Sequence, residues 1–239
     1  MNIFIKSLVF QIYFYCSVLI AAVFVCILSP LPYAFRFKVA QFWAYSMLYF
    51  GKKICGLNYE ITGTNNIPNE PCVIMIKHTT VFEAYAQLII FPPQTWVIKR
   101  ELLWIPIVGW ALLSLNCIAI NRKNGRQAVN QVIQKGTKRL KRNIWITIFP
   151  EGTRMPPGTT RRYGISGAAL AENAKVNIIP VAHNAGDFWP RRSLKKQAGT
   201  IKIIIGKPIK PINENPKLTN LIVQEWIESK MHVISKNYK

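Results

Sequence analysis

Acidic residues are scarce in this chain: ten Asp and Glu stand against 31 Lys and Arg, giving a formal net charge of +21 over 239 residues. A field of that sign excludes cationic partners, attracts anionic ones and weakens with salt. Anionic lipid, phosphorylated small molecules, acidic carrier proteins and nucleic acid share the required charge. No recognised nucleic-acid module accompanies it, so nucleic acid is not an expected partner. Histidine is scarcer still, present only as His78, His183 and His232. The five cysteines, Cys16, Cys26, Cys55, Cys72 and Cys117, are scattered and form no Cys-x2-Cys pair. That spacing argues against a disulfide framework or a zinc site and for reduced thiols in a cytosol-facing protein. A Gly-x-Ser-x-Gly nucleophile elbow is also missing, since Gly164-Ile165-Ser166-Gly167-Ala168 is out of frame by one residue. Internal repeats and low-complexity stretches are absent.

Charge is missing altogether from residues 8–28, LVFQIYFYCSVLIAAVFVCIL. At ~1.5 Å per residue such a helix reaches about 30 Å, enough to cross or deeply enter a bilayer. A cleaved signal peptide would have a shorter apolar region followed by a small-x-small site. Ser29-Pro30-Leu31-Pro32 follows instead, so residues 1–35 are expected to be a retained membrane anchor. Lys6 precedes the run, and Arg36, Lys38, Lys52 and Lys53 follow it. The positive-inside bias then places residues 36–239 on the cytoplasmic side. Residues 40–57, rich in Phe42, Trp43, Tyr45, Met47, Leu48, Tyr49 and Phe50, fit a helix lying in the membrane interface; a buried helix would show the same pattern.

Beyond Gly56 short apolar runs recur at residues 72–77, 95–98, 117–120, 145–149, 176–181 and 200–205, each fitting a buried strand. Helical patterns fall between or after them at 81–90, 106–115, 125–142, 165–174 and 216–235. The clearest is 125–142, where Val129, Val132, Ile133 and Leu140 share a face and cations crowd the last turn. Strands alternating with helices predict an α/β domain with a largely parallel sheet.

Two short blocks stand out. His78 precedes Glu83 by five residues in Lys77-His78-Thr79-Thr80-Val81-Phe82-Glu83. Five residues on one continuous helix lie ~140° apart, so the pair can meet only if His78 ends a strand and Glu83 opens a helix. A carboxylate on one imidazole nitrogen fixes the tautomer and leaves the other nitrogen to act as a base. Thr80 and Glu83 also satisfy a capping box, in which Glu83 would merely hold a backbone amide. The second block is Phe149-Pro150-Glu151-Gly152-Thr153-Arg154, a glycine-bearing turn ending in a guanidinium that can grip a phosphate in bidentate fashion. A plain turn closing a strand would read alike.

In this order the two blocks resemble the glycerophospholipid acyltransferase family, whose marks are His-x4-Asp and then Phe-Pro-Glu-Gly-Thr-(Arg/Ser), and most resemble its bacterial 1-acyl-sn-glycerol-3-phosphate branch. This chain has Glu83 where the first mark has Asp. Weaker likenesses are Ile120-Asn121-Arg122 to an Ile-Asp-Arg block, Ile179-Pro180-Val181 to a Val/Ile-Pro-Val block, and Lys99-Arg100-Glu101-Leu102 to a further segment. The family's Phe-Lys-x-Gly lysine has no counterpart in Tyr163-Gly164-Ile165-Ser166-Gly167, where Arg161 and Arg162 lie just upstream.

The resemblance implies a glycerolipid acyltransferase-like domain with N-terminal membrane-anchoring helices, on a bacterial inner membrane. It implies His78 as general base and Glu83 as its orienter, with Arg154, Arg122, Glu151, Gly152, Thr153 and Lys99 on the substrate phosphate. Glu151 could orient Arg154 or accept from a glycerol hydroxyl. His183 is expected to be structural. The donor would be acyl-CoA or acyl carrier protein, the acceptor the sn-2 hydroxyl of lysophosphatidic acid in an anionic bilayer, and the product phosphatidic acid. With no serine elbow and no cysteine in either block, transfer would be direct, without an acyl-enzyme, cofactor or metal. Another lysolipid, such as lyso-ornithine lipid, and a non-catalytic lipid-binding protein of the same fold are the alternatives.

Overall fold

The computed structural model describes residues 2–238. Two long helices open the chain, α1 (Ile3–Ile27) and α2 (Tyr33–Cys55), separated by the proline-bearing turn at residues 28–32. The α/β body follows as β1 (Leu57–Thr62), β2 (Val73–Ile76), α3 (Phe82–Ile90), β3 (Gln94–Lys99), α4 (Val108–Ser114), β4 (Ile118–Ile120), α5 (Gly125–Leu140), β5 (Trp145–Ile148), α6 (Ser166–Ala174), β6 (Ile178–His183), α7 (Ala185–Phe188), β7 (Gly199–Ile205) and α8 (Pro216–Ile234). The expected strands and helices recur within a few residues of their predicted bounds. Missed were β1, whose polar Asn58 and Glu60 suit a half-solvated edge, and the single turn of α7.

The seven strands lie in the order β1-β7-β6-β2-β5-β3-β4. Pairings are parallel except β6 with β7, which run antiparallel. Five strands therefore point one way and the edge pair β1–β7 the other. The central strands β2, β5 and β6 are buried on both faces because helices cover both. In β2 the period-two alternation sends Ile74 and Ile76 into one core, packed with α1 to α4, and Val73 and Met75 into the other, packed with α5, α6 and α8. β2 is central, flanked by β5 and β6, and its carboxyl end is where open α/β sheets place ligands.

The N-terminal helices are built onto this body. Phe10 of α1 is fully buried against Trp189, a burial worth roughly 1.5–3 kcal/mol. The Lys196 backbone N–H donates to Ser7 Oγ, and its ammonium donates to Gln11 Oε1, both at 2.9 Å. Trp43 of α2 donates to Ser17 Oγ at 3.1 Å. α2 is pinned in turn: Tyr33 donates to the Gln94 carbonyl at 2.6 Å and Gln41 to the Leu88 carbonyl at 3.0 Å. The helix expected over 40–57 starts earlier, at Tyr33, directly after the Pro32 that ends the turn.

The outward faces of α1, α2 and the 100–113 segment are apolar. Phe42, Trp104 and Trp110 are 76%, 68% and 62% exposed, alongside Phe4, Ile12, Ile20 and Phe24 of α1. Among the described residues one helix, α1, is long and apolar enough to cross a membrane by length and composition. Its inner face, however, rests on α2 and α4.

Candidate active site

The alternation of β2 continues past its end and sends Lys77 and His78 to opposite faces of the sheet. Lys77 points toward α8, and His78 toward α3 and α2. The chain then turns into α3, with the Thr80 hydroxyl accepting from the Phe82 N–H at 2.7 Å. That turn is what lets residues five apart meet: His78 Nδ1 lies 2.8 Å from Glu83 Oε1. The same carboxylate oxygen accepts from the Thr79 and Thr80 N–H groups, each at 2.9 Å. The capping and imidazole-orienting readings of Glu83 therefore hold together. Burial alone would raise the Glu83 carboxyl, but the nearby His183 and His78 rings and the hydrogen bonds outweigh it and hold it below the ordinary carboxylate range. An ionised Glu83 can only accept, so Nδ1 carries a proton, and in the neutral ring Nε2 presents a lone pair.

The imidazole stacks on Phe149, ring centroids 4.2 Å apart and 21° between planes, and stays 15% exposed. Its backbone is clamped from both sides by Glu151 of the second block and by Met155 just after it. The His78 N–H donates to Glu151 Oε2 at 2.7 Å, and the Met155 N–H donates to the His78 carbonyl at 2.7 Å.

His78 lines a cavity of about 550 Å³, within the size range of ligand sites. Around its mouth stand Lys99, Arg122, Thr153, Arg154, Arg191 and Arg192. Deeper walls are apolar: Val18, Ala22 and Val25 of α1, Ala40 of α2, Leu88 of α3 and Ala111 of α4. The cavity is thus amphipathic, with cations and an imidazole at one end and aliphatic side chains at the other.

Most of the residues singled out from the sequence converge here. His78, Glu83, Arg154, Arg122, Thr153 and Lys99 gather at the mouth, with Glu83 directly behind the imidazole. The Arg122 guanidinium donates to the Gly152 carbonyl, tying the Ile-Asn-Arg segment to the glycine turn. Gly152 itself has φ +69°, a left-handed conformation that costs a side-chain-bearing residue roughly 1–2 kcal/mol. Lys99 is exposed and pairs with Glu101 at 3.3 Å. Glu151 departs from expectation. Its carboxylate does not reach Arg154 or the cavity; it turns inward to the His78 N–H and to Lys77 Nζ at 2.6 Å. Burial pushes the Glu151 carboxyl up to about 7, against the opposing field of Lys77.

Ile179-Pro180-Val181 lies within β6 beside β2, buried and off the cavity wall. His183 is also buried. Its Nε2 donates to the Lys77 carbonyl at 2.7 Å, and Nδ1 accepts from the Ala185 N–H at 3.3 Å. Both nitrogens are occupied, and burial holds its pKa below the usual histidine value. A second base is therefore not available from that ring. Sequence reasoning missed Arg191 and Arg192, which lie in an irregular loop with no motif. It also missed the stacking of Phe149, although an aromatic at that block position was visible.

A family model described as Acyltransferase matches residues 58–184. The chain is 36% identical over 236 residues to a 1-acyl-sn-glycerol-3-phosphate acyltransferase of Pseudomonas aeruginosa, covering 97% of this chain and 92% of that protein. It is 26% identical over 166 residues to the human 1-acyl-sn-glycerol-3-phosphate acyltransferase alpha, covering 68% of this chain and 59% of the relative. Its fold matches the crystal structure of the 1-acyl-sn-glycerophosphate acyltransferase PlsC from Thermotoga maritima with a TM-score of 0.79, 19% identity, and coverage of 96% and 94% of the two chains. The matched region contains both sequence blocks and the cavity mouth up to β6, and the chain belongs to the acyltransferase family, that of the glycerophospholipid acyltransferases.

Proposed function

We propose that the protein transfers a fatty acyl group from an acyl thioester to the sn-2 hydroxyl of 1-acyl-sn-glycerol-3-phosphate at a membrane surface. The observation that carries this reading is the single cavity that joins an oriented imidazole and an arginine-rich mouth to an aliphatic interior. His78 Nε2 takes the proton from the attacking hydroxyl, and Glu83 stabilises the imidazolium that results. The hydroxyl oxygen bonds to the thioester carbonyl carbon and the thiolate departs. The imidazolium returns the proton to that thiolate, so the base is regenerated. Arg154 and Arg122 hold the acceptor's phosphate and fix its hydroxyl beside Nε2, which turns an encounter into a positioned pair. The cavity side chains offer no serine or cysteine nucleophile, which favours one-step transfer.

The donor is coenzyme A or acyl carrier protein, since both present the acyl group on the same thioester arm and both are anionic. The exposed apolar faces of α1 and α2, with Trp104 and Trp110, sit in the interface of an anionic, cytoplasm-facing bacterial inner-membrane leaflet. From there a lysolipid reaches the cavity mouth without entering water.

Arg154→Ala tests the phosphate assignment. Its expected effect is a rise of about 10–100-fold in KM for lysophosphatidic acid, with kcat within a few-fold of the parent, since a charge-assisted hydrogen bond is worth about 1.5–3 kcal/mol. Steady-state kinetics at saturating donor measures it. An unchanged KM removes Arg154 from the acceptor site.

A further inference from the structure

On the face of the sheet opposite the cavity lies a charged cluster that the transfer reaction does not touch. Lys77, fully buried, stands between two carboxylates: Glu151 Oε1 at 2.6 Å and Glu228 Oε1, from α8, at 2.8 Å. Its ammonium also donates to the Thr159 carbonyl at 3.2 Å and lies 5.3 Å from the centre of the Tyr238 ring. Tyr163 and Thr160 donate their hydroxyls to Glu228 at 2.6 and 2.9 Å, and the Tyr238 hydroxyl donates to the Thr159 carbonyl at 2.8 Å. Buried ion clusters of this kind are weak sources of stability, because desolvation offsets their attraction. The structural consequence appears at Glu151. One of its oxygens meets Lys77, and the other receives the His78 N–H.

We propose that Lys77 is a positioning residue for acyl transfer, which, itself held by Glu228, pairs with Glu151 and fixes it as the acceptor of the His78 N–H, and so sets the main-chain position of His78. The proposal rests on the reading of His78 as the base. Lys77 touches neither cavity nor substrate; it acts through the carboxylate behind the imidazole. The arrangement also makes the base depend on α8 and the C-terminal segment, far from it in sequence. The groups that face Glu151 are Lys77, Glu228, Tyr163, Tyr238 and the His78 backbone. Burial raises its carboxyl and Lys77 opposes the rise, so removing Lys77 leaves Glu151 protonated to a higher pH. Glu228 adds to the rise, so neutralising Glu228 moves Glu151 the other way.

The test is kinetic, on the full-length protein in lipid vesicles. Lys77→Met should lower kcat by about 100-fold, the scale of a small misplacement of a reacting group. KM for lysophosphatidic acid should stay unchanged, and the acid limb of the kcat–pH profile should move to higher pH. The double variant Lys77→Met with Glu151→Gln should regain at least about tenfold over Lys77→Met. Its neutral amide still accepts from the His78 N–H and needs no counter-ion. Glu228→Gln leaves the Lys77–Glu151 pair in place and should move the acid limb to lower pH; it serves as the test if Lys77→Met does not fold. Parental kcat and pH profile in Lys77→Met overturn the proposal. So does a double variant no better than the single one, or an unmoved acid limb in Glu228→Gln. His78→Ala in the same assay separates the two levels. If that variant still turns over, the base assignment fails; if it is dead while Lys77→Met is unaffected, only the positioning role fails.

Discussion

His78→Ala should lower kcat for acyl transfer by about 10²–10⁴-fold, the usual contribution of a positioned general base. The loss should fall on kcat and not on KM, because in the proposed mechanism the acceptor's phosphate is bound by Arg154 and Arg122, which line the same cavity. Membrane association should survive, since the exposed apolar faces belong to α1, α2 and the 100–113 segment. Truncating the imidazole also leaves Glu83 with its Thr79 and Thr80 partners, so the α3 start remains capped and the fold intact. Turnover by purified protein, measured beside a vesicle flotation assay and a thermal melt, distinguishes loss of chemistry from loss of structure. Retained turnover would remove the proposed base. Loss of cooperative melting would mean that the imidazole supports the fold and not the reaction.

The second large effect concerns the aliphatic end of the cavity. Ala22 of α1 and Ala111 of α4 are buried alanines on its wall. Replacing either with phenylalanine fills the room of about three chain methylenes; at ~0.8 kcal/mol per methylene, kcat/KM for a long-chain donor falls about 50-fold. A donor short enough to end before the block should be used as well as before. The selectivity between octanoyl and palmitoyl thioesters is the readout, and it cancels any uniform loss from overpacking. An equal loss for both chain lengths would place the acyl group elsewhere. The Ala22 variant carries a further meaning. If it alters chain-length selectivity, α1 is a wall of the site as well as a membrane element, and anchor and enzyme are not separable at residue 35.

These results bear on what a sequence can reveal. The His78–Glu83 pair was readable because a strand that stops and a helix that starts are both written locally, in Val73–Ile76 and in Thr80 to Phe82. The strand order was readable as a class, since alternating strands and helices force parallel pairing, but the reversed edge pair β1–β7 was not. β1 is too polar to announce itself, and β7 reads like any buried strand. The inward turn of Glu151 was hidden because its partner is one lysine among 31 basic residues. Parity along β2 does place Lys77 opposite His78, yet nothing local names Glu228 as the acid waiting on that side. The role of α1 was hidden for another reason. Its apolar run satisfies a bilayer and a cavity wall equally well, because both ask only for aliphatic surface.

The most direct test of the central claim is an acceptor panel with the purified protein in vesicles and one acyl thioester donor. It sets lysophosphatidic acid against lysolipids that lack the phosphomonoester, with lyso-ornithine lipid among them. Phosphatidic acid should form fast from the first and the others should react at least about 100-fold more slowly in kcat/KM, because the proposed site pairs a phosphomonoester with both Arg154 and Arg122. Equal rates across the panel, or preference for the phosphate-free acceptor, would contradict the account.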